Sequence, residues 1–342
     1  MKKKLLAITL SALMLGLTAC GGGNAGGGTA ASAGASTAAS GDANAAAASD
    51  WVWERNIEII CPWGSGGGAD TTLRAFTSAL EKEVGVKITV NNVTGAGGVT
   101  GTQFATEQPA DGYTYVMNTQ SPMLAQISGA TDFDVVGNIN PLCQMVHDVN
   151  VFVAGIDEPY DTIEECLAYL EENPGSVKCG VMTITGLDNA CVQGAFGGKV
   201  EPIAYEDGSQ LNGDIIGGHV NLGCEGPAEV SEFVESGKMK VIGVCAENRL
   251  TLPGFENAQT TLEIGNQTAY GPARGIFYLN GTPEEAILAF EAAAEKAWQS
   301  DEFQDFMKTQ SLDQRQGWRN RAEYAEAYKS EYEELNALFG SN

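Results

Sequence analysis

The residues best placed for chemistry in this sequence are the glycines of "CPWGSGGGAD", residues 61–70. Four of the five positions from 64 to 68 are glycine, directly after the apolar run "IEIIC" and before a helical pattern. The first N–H groups of a helix lack internal acceptors and lie at the positive end of the helix dipole. Glycine lets a ligand approach the backbone closely and permits positive φ. This stretch predicts a carboxylate or phosphate site, with Trp63 as a wall and Asp70 as a helix cap or ligand contact.

A second stretch, "CGVMTITGLDNA" at residues 179–190, has the same order of strand, small polar turn and helix start. Thr183, Thr185 and Gly186 offer hydroxyl and backbone donors at this turn. Two such turns in separate modules predict a cleft that holds an anionic ligand from both sides. Either turn could instead serve only to fold the chain, since every α/β protein has such turns.

Alternating strand-like and helix-like segments must position these turns. "IEIICP", "VKITVNN" and "DGYTYVMN" are strand-like, and "ADTTLRAFTSALEKEV" has apolar residues at helical spacing. This β-α-β-α-β order predicts an α/β fold with a parallel sheet and helices on its faces. A second module begins near residue 156 with a helix and the strand "VKCGVM". In the tail, aromatic residues at helical spacing, such as Tyr324 and Tyr328, predict core positions.

The chain begins with a secretory signal, because Lys2 to Lys4 precede a short apolar run that ends at Ala19. "LTACG" at its end is typical of a lipobox, so residues 1–20 predict a lipoprotein signal whose Cys20 is lipidated. An ordinary cleaved signal with a chance cysteine is the alternative. Residues 21–50 are rich in Gly, Ala and Ser and predict a flexible linker. The mature protein is therefore expected outside the cytoplasm, anchored to the cell membrane by lipid.

The charge of the chain excludes some partners. The sequence has 19 basic and 44 acidic residues, and removal of the three signal lysines leaves 16 basic residues. Such an acidic surface repels nucleic acid and anionic lipid. The seven cysteines after Cys20 include no C-x-x-C pair, and several lie in apolar strand-like runs, so we interpret them as buried hydrophobic residues. One or two disulfides are the alternative.

Enzyme classes find little support in the sequence. Gly64, Gly66 and Ala69 fit a G-x-G-x-x-A dinucleotide motif, but the next strand ends in Asn91-Asn92 where an acidic residue is expected. The two histidines, His147 and His219, lie in no metal-ligand motif, and no nucleophile elbow is present. We therefore expect no metal, no cofactor and no catalytic residues.

Several motifs, taken together and in order, resemble the substrate-binding proteins of tripartite tricarboxylate transporters, the group that includes the Bug receptors. The resemblance runs from about residue 57 to residue 317. It is carried by "CPWGSGGGAD", "VNNVTGAGGVTG", "QPADGYTYVM", "LEENPGSVKCG", "IAYEDGSQLNGDIIGGHVNLGCEGPAEV" and "RGIFYLNGTPEE".

The resemblance implies a two-lobed periplasmic-binding-protein-like fold of type II with two hinge crossings. We assign residues 51–154 and 246–342 to the first lobe and residues 155–245 to the second. It also implies a non-enzymatic receptor that binds a di- or tricarboxylate or similar organic acid and delivers it to a membrane permease. The expected ligand contacts are Trp63, Gly64, Ser65, Gly66, Gly67, Gly68, Asp70, Thr119, Gln120, Thr183, Ile184, Thr185, Gly186, Asp188, Asn189, Tyr205 and Glu225.

Two departures from the family pattern affect the ligand. Asp188 and Asn189 replace the usual serine-to-histidine segment, and Glu206 replaces a lysine in the usual Tyr-Lys-Gly. The additional acid at position 206 favours a ligand with an amino group or with fewer carboxylates. The alternatives in other classes are an exported α/β enzyme acting on a small carboxylated substrate, and a surface adhesin or structural lipoprotein.

Overall fold

The structure is a computed structural model that describes residues 49–205, 208–266, 269–315 and 317–340. The predicted signal with Cys20, the predicted linker up to residue 48, and Glu206 lie outside the described residues. Within those ranges, no helix is both long and apolar enough to cross a membrane.

The described chain alternates strands and helices throughout. The strands are β1 (Ile57–Cys61), β2 (Ile88–Asn92), β3 (Thr114–Asn118), β4 (Ile139–His147), β5 (Asn150–Gly155), β6 (Lys178–Val181), β7 (Glu201–Ala204), β8 (Leu222–Glu225), β9 (Met239–Cys245) and β10 (Ala273–Leu279). The helices are α1 (Gly68–Val84), α2 (Val99–Thr106), α3 (Gln120–Ile127), α4 (Val135–Asn138), α5 (Ile163–Glu172), α6 (Leu187–Phe196), α7 (Gly208–Ile216), α8 (Pro227–Glu235), α9 (Glu284–Gln299), α10 (Asp301–Thr309) and α11 (Arg321–Phe339), with a 3-10 turn at Ala96–Gly98 before α2.

The first sheet has the strand order β2-β1-β3-β10-β4. Strand β1 pairs in parallel with β2 and β3, as the β-α-β-α-β pattern predicts. Strand β10 pairs antiparallel with β3 and β4, so the sheet as a whole is mixed, and the parallel arrangement that the sequence predicted holds for β1, β2 and β3 alone. The last strand arrives from the far end of the chain, and its direction carries no local sequence signal.

The second sheet has the order β7-β6-β8-β5-β9 and repeats this plan, with β6 parallel to β7 and β8 and with β5 antiparallel to β8 and β9. The α/β two-lobed fold with two crossings is thereby confirmed. Residues 150–155 form β5 of the second sheet, so sheet membership puts the first crossing at residues 148–149. No glycine or proline separates β4 from β5, so the sequence gives no local signal of this crossing, and we propose that the first lobe ends there.

Aromatic residues pack both faces of the first sheet. On one face, Phe290 of α9 lies with its ring centroid 4.1 Å from that of Tyr115 on β3. On the other face, Tyr324 and Tyr328 of α11 lie 5.3 and 5.1 Å from the ring of Phe277 on β10. The prediction that the aromatic residues of the tail helix belong to the core is confirmed, since Tyr324 and Tyr328 are buried.

The seven described cysteines are all buried and unpaired, in agreement with their interpretation as small core residues. Three of them, Cys191, Cys224 and Cys245, lie in the second lobe beside Asn150. The Asn150 amide donates to the Cys191 sulfur at 3.4 Å. These thiols therefore act as packing groups with local hydrogen bonds.

The chain returns to the first lobe between β9 and β10, and one guanidinium contacts both this second crossing and the first. Arg315 donates from Nη1 to the carbonyl of Asp148 at 3.1 Å, and from Nη2 to the carbonyls of Cys245 and Ala269 at 3.3 and 2.7 Å. His147 Nε2 lies 3.2 Å from Arg315 Nη1, and burial followed by the Arg315 charge lowers the pKa of His147 to about 3. A neutral imidazole can accept from the guanidinium, so His147 completes the contacts of Arg315 at the hinge.

Candidate functional site

The glycine-rich turn after β1 is held in place by Asp70. Its buried carboxylate accepts from the Gly66 N–H at 2.9 Å, from Arg74 Nε at 2.9 Å and from Asn92 Nδ2 at 2.8 Å. Burial alone would raise the pKa of Asp70, but the hydrogen bonds from Arg74, Gly66 and Asn92 hold it below its usual value. Gly66 has φ +87°, a conformation that favours glycine. Because these protein donors occupy the carboxylate, we assign Asp70 to positioning the turn.

The turn of the second lobe has a corresponding carboxylate. Asp188 accepts from the backbone N–H groups of Met182 and Thr183, and Asn189 donates to the Ile184 carbonyl at 2.5 Å. Burial raises the pKa of Asp188 to about 6, against the effect of these backbone donors. The Thr183 and Thr185 hydroxyl oxygens lie 3.4 Å apart. Asp188 and Asn189, the two residues that differ from the family pattern, therefore hold this turn by hydrogen bonds within it.

The two lobes touch near Trp63, at a place that we call the rim. A methyl group on Gly97 of the first lobe would lie 3.5 and 3.6 Å from the hydroxyls of Thr183 and Thr185. The Leu187 N–H of the second lobe points to Ser121 Oγ at 3.5 Å. A methyl group on Gly98 would lie 3.2 Å from the Trp63 ring. Trp63, Thr183, Thr185 and Gly186 thus gather at one rim, together with residues that the sequence did not single out.

Two predicted contacts from the first lobe have structural partners. Thr119 caps α3 and accepts from the Ser121 N–H at 3.3 Å. Gln120 donates to the Gly271 carbonyl and to Glu331, and accepts from the Ala273 N–H at 3.0 Å. Because both ends of the Gln120 amide are used, we leave it out of the proposed ligand contacts.

A cavity of about 460 Å³ lies between the lobes, beyond this rim. Within the described ranges, Ser65 to Gly68 are the only predicted ligand contacts that line this cavity. Its other lining residues are Thr71, Thr72, Asp148, Gly208, Ser209, Asn212, Gly226, Ala228, Glu229, Arg274, Phe306, Gln310 and Leu312. Helices α1, α7 and α8 all begin at this cavity, and their first N–H groups are the kind of donor that binds anions.

Arg274 is the one basic side chain among the described residues that line the cavity. It lies on β10, is buried, and pairs with the buried Asp148 at 2.9 Å between Nη2 and Oδ2. A methyl group on Gly68 would lie 3.1 Å from Arg274 Nη2 and 3.3 Å from Glu229 Oε1. The guanidinium therefore lies directly beside the start of α1, where it can add to the attraction for a ligand carboxylate.

Two acidic side chains of the second lobe lie at or beside the cavity: Glu229 lines it, and Glu225 lies behind the lining residue Gly208. Glu229 is solvent-accessible and accepts from the Gly226 N–H at 3.0 Å, which caps α8. Glu225 is buried, and neither of its carboxylate oxygens has a hydrogen-bond partner among the described residues. Burial raises the pKa of Glu225 well above its usual value, the Glu229 charge adds to the rise, and the nearby Asn212 amide opposes it. Predicted Tyr205 instead donates to Asp214 Oδ2 at 2.9 Å.

Sequence reasoning missed Asp148, Asn212, Gly226 and Glu229 of the lining. The turn at Gly226 could have been found, because "NLGCEGPAEV" repeats the order of strand, glycine and helix start, with Pro227 at the first helical position. Asp148 and Asn212 carry no local signal, since only the folded chain brings them to the cavity.

Two α/β lobes that enclose a polar cavity define a solute-binding protein. The model of the "Tripartite tricarboxylate transporter family receptor" matches residues 72–330, and the chain belongs to this family. It is 26% identical to Protein BugT of Bordetella pertussis over 254 residues, which are 72% of this chain and 77% of BugT. The protein is therefore a receptor that works outside the cytoplasm and is not an enzyme.

Solved structures share the fold at low sequence identity. MatC from Rhodopseudomonas palustris with bound malate has a TM-score of 0.69 at 18% identity, and the match covers 83% of this chain and 99% of MatC. An R. palustris protein with adipate has a TM-score of 0.71 at 18% identity, covering 84% of this chain and 95% of that protein. At these identities the likeness concerns the arrangement of the lobes.

Proposed function

We propose that this receptor captures a small organic acid in the cavity between its lobes. The observation that carries the proposal is the pairing of the α1 N-terminus with Arg274 at one wall of the cavity. Backbone N–H groups, the helix dipole and a buried guanidinium all favour a carboxylate at that wall. A cavity of about 460 Å³ has the size of a small-molecule site.

Malate and adipate in two proteins of this fold support a carboxylate ligand. We propose that a ligand bridging Gly68 of the first lobe and the α7 and α8 starts of the second stabilises the closed arrangement. Such a ligand shifts the population toward closed lobes by the contacts that it makes only when they are closed.

The remaining steps of transport concern the N-terminal segment and the partners of the receptor. We propose that Cys20 is lipidated, that residues 21–50 tether the receptor to the membrane, and that the loaded receptor delivers its solute to the permease subunits of a tripartite transporter. The unchanged protein should incorporate labelled palmitate in cells, and Cys20→Ser should not. Equal labelling of the two proteins would contradict the lipid anchor.

Calorimetric titration of the purified protein with organic acids and amino acids tests the receptor function. At least one acid should bind, and Arg274→Met should weaken it by about tenfold or more. Arg249→Met is the matched control, because Arg249 pairs with Glu263 at the surface, and it should leave affinity unchanged. Equal affinity in both variants would contradict the assignment of the carboxylate to the Arg274 wall.

A further inference from the structure

The charges around the cavity are unequal on its two sides. The first-lobe side has the α1 N-terminus and Arg274, whose charge is already matched by Asp148. The second-lobe side has the N-termini of α7 and α8, but Glu229 and Glu225 lie beside them. A helix N-terminus is equivalent to about half a positive charge, so the Glu229 carboxylate alone is enough to offset the two N-termini on this side. The second-lobe side therefore offers little attraction to a second ligand carboxylate.

Asn212 and Glu225 leave three buried acceptors without a donor. Asn212 lines the cavity, is buried, and donates from Nδ2 to the Glu229 carbonyl at 3.2 Å. This bond leaves Asn212 Oδ1 as the free end of the amide. Its oxygen and both oxygens of Glu225 find no partner in the described parts of the chain. A methyl group on Gly208, which lines the cavity, would lie 3.5 Å from Glu225 Oε2.

Buried polar groups are normally hydrogen-bonded, and orphaned acceptors in the wall of a binding cavity or directly behind it therefore point to a donor on the ligand. Three acceptors match the three N–H donors of a protonated amino group. We infer that Asn212 and Glu225 form an ammonium subsite, and that the solute carries both a carboxylate and a protonated amino group. This inference rests on the proposed function. The carboxylate of the solute binds the Arg274 wall and its amino group binds the opposite wall.

A different use of Glu225 makes the opposite prediction. If the carboxyl stays protonated, its O–H can donate to a second carboxylate, and the solute is then a dicarboxylate without an amino group. The two cases differ in which member of a matched pair of ligands binds. Each pair has an amino acid and the acid that lacks only its amino group: aspartate and succinate, glutamate and glutarate, leucine and 4-methylpentanoate, phenylalanine and 3-phenylpropionate, 4-aminobutyrate and butyrate.

Calorimetric titration of the purified protein with every pair is the test. In any pair that binds, we expect the amino member to bind at least about tenfold more tightly than its partner. Tighter or equal binding of the deaminated acid overturns the ammonium subsite but leaves the receptor function standing. Failure of every acid in all pairs overturns both the subsite and the proposed function.

Variants then locate the subsite. Glu225→Gln keeps the shape of the side chain but cannot ionise beside an ammonium group, so it should weaken the amino member by about tenfold or more and leave the deaminated acid unchanged. Glu232→Gln, at an exposed position of the same helix as Glu229, is the matched control and should change neither. Asn212→Leu should also reduce the preference for the amino member. A preference that survives Glu225→Gln in a folded protein contradicts the assignment to Glu225.

Discussion

Arg274 and Asp148 form a buried ion pair that joins the last strand of the first sheet to the first crossing between the lobes. Arg274 Nη2 lies 2.9 Å from Asp148 Oδ2, while Asp148 Oδ1 accepts from the Val149 N–H at 2.8 Å. A guanidinium with one carboxylate already beside it has donors left for a ligand but little net charge. The pair therefore controls how strongly the cavity attracts anions.

Replacement of Asp148 by Asn should show the influence of this ion pair on anion binding. Arg274 is then buried without its counter-charge, and the unfolding free energy of the empty protein should fall by about 3 kcal/mol. An added carboxylate restores the balance, so the increase in melting temperature with ligand should exceed that of the unchanged protein. The comparison is thermal unfolding with and without succinate and aspartate.

The matched control is Asp161→Asn, because Asp161 is an exposed partner of Lys240. It should alter neither the stability nor the response to ligand by more than about 0.5 kcal/mol. If Asp148→Asn behaves like this control, the buried pair has no influence on the site.

Addition of one methyl group to the glycine-rich turn distinguishes the cavity wall from the rest of the turn. In Gly68→Ala the new methyl group meets Arg274 and Glu229 at 3.1 and 3.3 Å, whereas in Gly64→Ala nothing lies within 4 Å. We expect Gly68→Ala to weaken ligand binding by about tenfold and Gly64→Ala to leave it within about twofold. Titration of both proteins with the same acid measures the ratio, and an equal loss in both would contradict the proposed ligand position.

The order and type of the early elements could be predicted from the sequence because their signals are local. Apolar periodicity placed β1, α1 and β2, and the four glycines marked a turn of which Ser65 to Gly68 line the cavity. The direction of β10 and the crossing at residues 148–149 depend on pairing between distant segments. Local periodicity does not report such pairing.

The chemistry of the site was less predictable for the same reason. Asp70 was interpreted as a helix cap or ligand contact, and the family resemblance implied a ligand contact at Asp188, but the folded turns occupy both carboxylates with their own N–H groups. Arg274 and Asp148 meet only because an antiparallel strand returns beside the crossing. A sequence indicates which groups are available, while the tertiary fold decides which of them remain free for a ligand.

Asp70→Asn should destabilise the protein near neutral pH through loss of the charged contacts that hold the glycine-rich turn. We expect a loss of about 2 kcal/mol in unfolding free energy. The folded pKa of Asp70 is depressed below its usual 3.8, so its stabilisation is present above that pH and is lost as pH falls through the folded pKa. The difference between the two proteins in urea unfolding should therefore shrink on strong acidification. A difference that grows with acid would contradict this role.

The contribution of Glu331 to stability has the opposite pH dependence to that of Asp70. It lies on α11, its Oε2 accepts from Gln120 Nε2 at 3.2 Å, and burial raises its pKa from 4.5 to about 7 against the opposing charge of Arg319. A raised folded pKa means that the native state holds its proton longer than the unfolded chain does. Stability from this group is therefore complete below about pH 4.5 and declines as pH rises to about 7.

Glu331→Gln should remove this decline, because the amide keeps the contacts and does not ionise. Relative to the unchanged protein, the variant should gain about 1 kcal/mol in unfolding free energy as pH rises from about 4 to about 8, a value reduced for the partial exposure of the side chain. Glu334→Gln on the same helix provides the control for a general change in charge. Urea unfolding across this pH range gives the two difference curves. If the curve for Glu331→Gln is flat or falls with pH, the carboxyl is ionised in the native state throughout, and its contact with Gln120 is then a charged hydrogen bond that stabilises α11 at neutral pH.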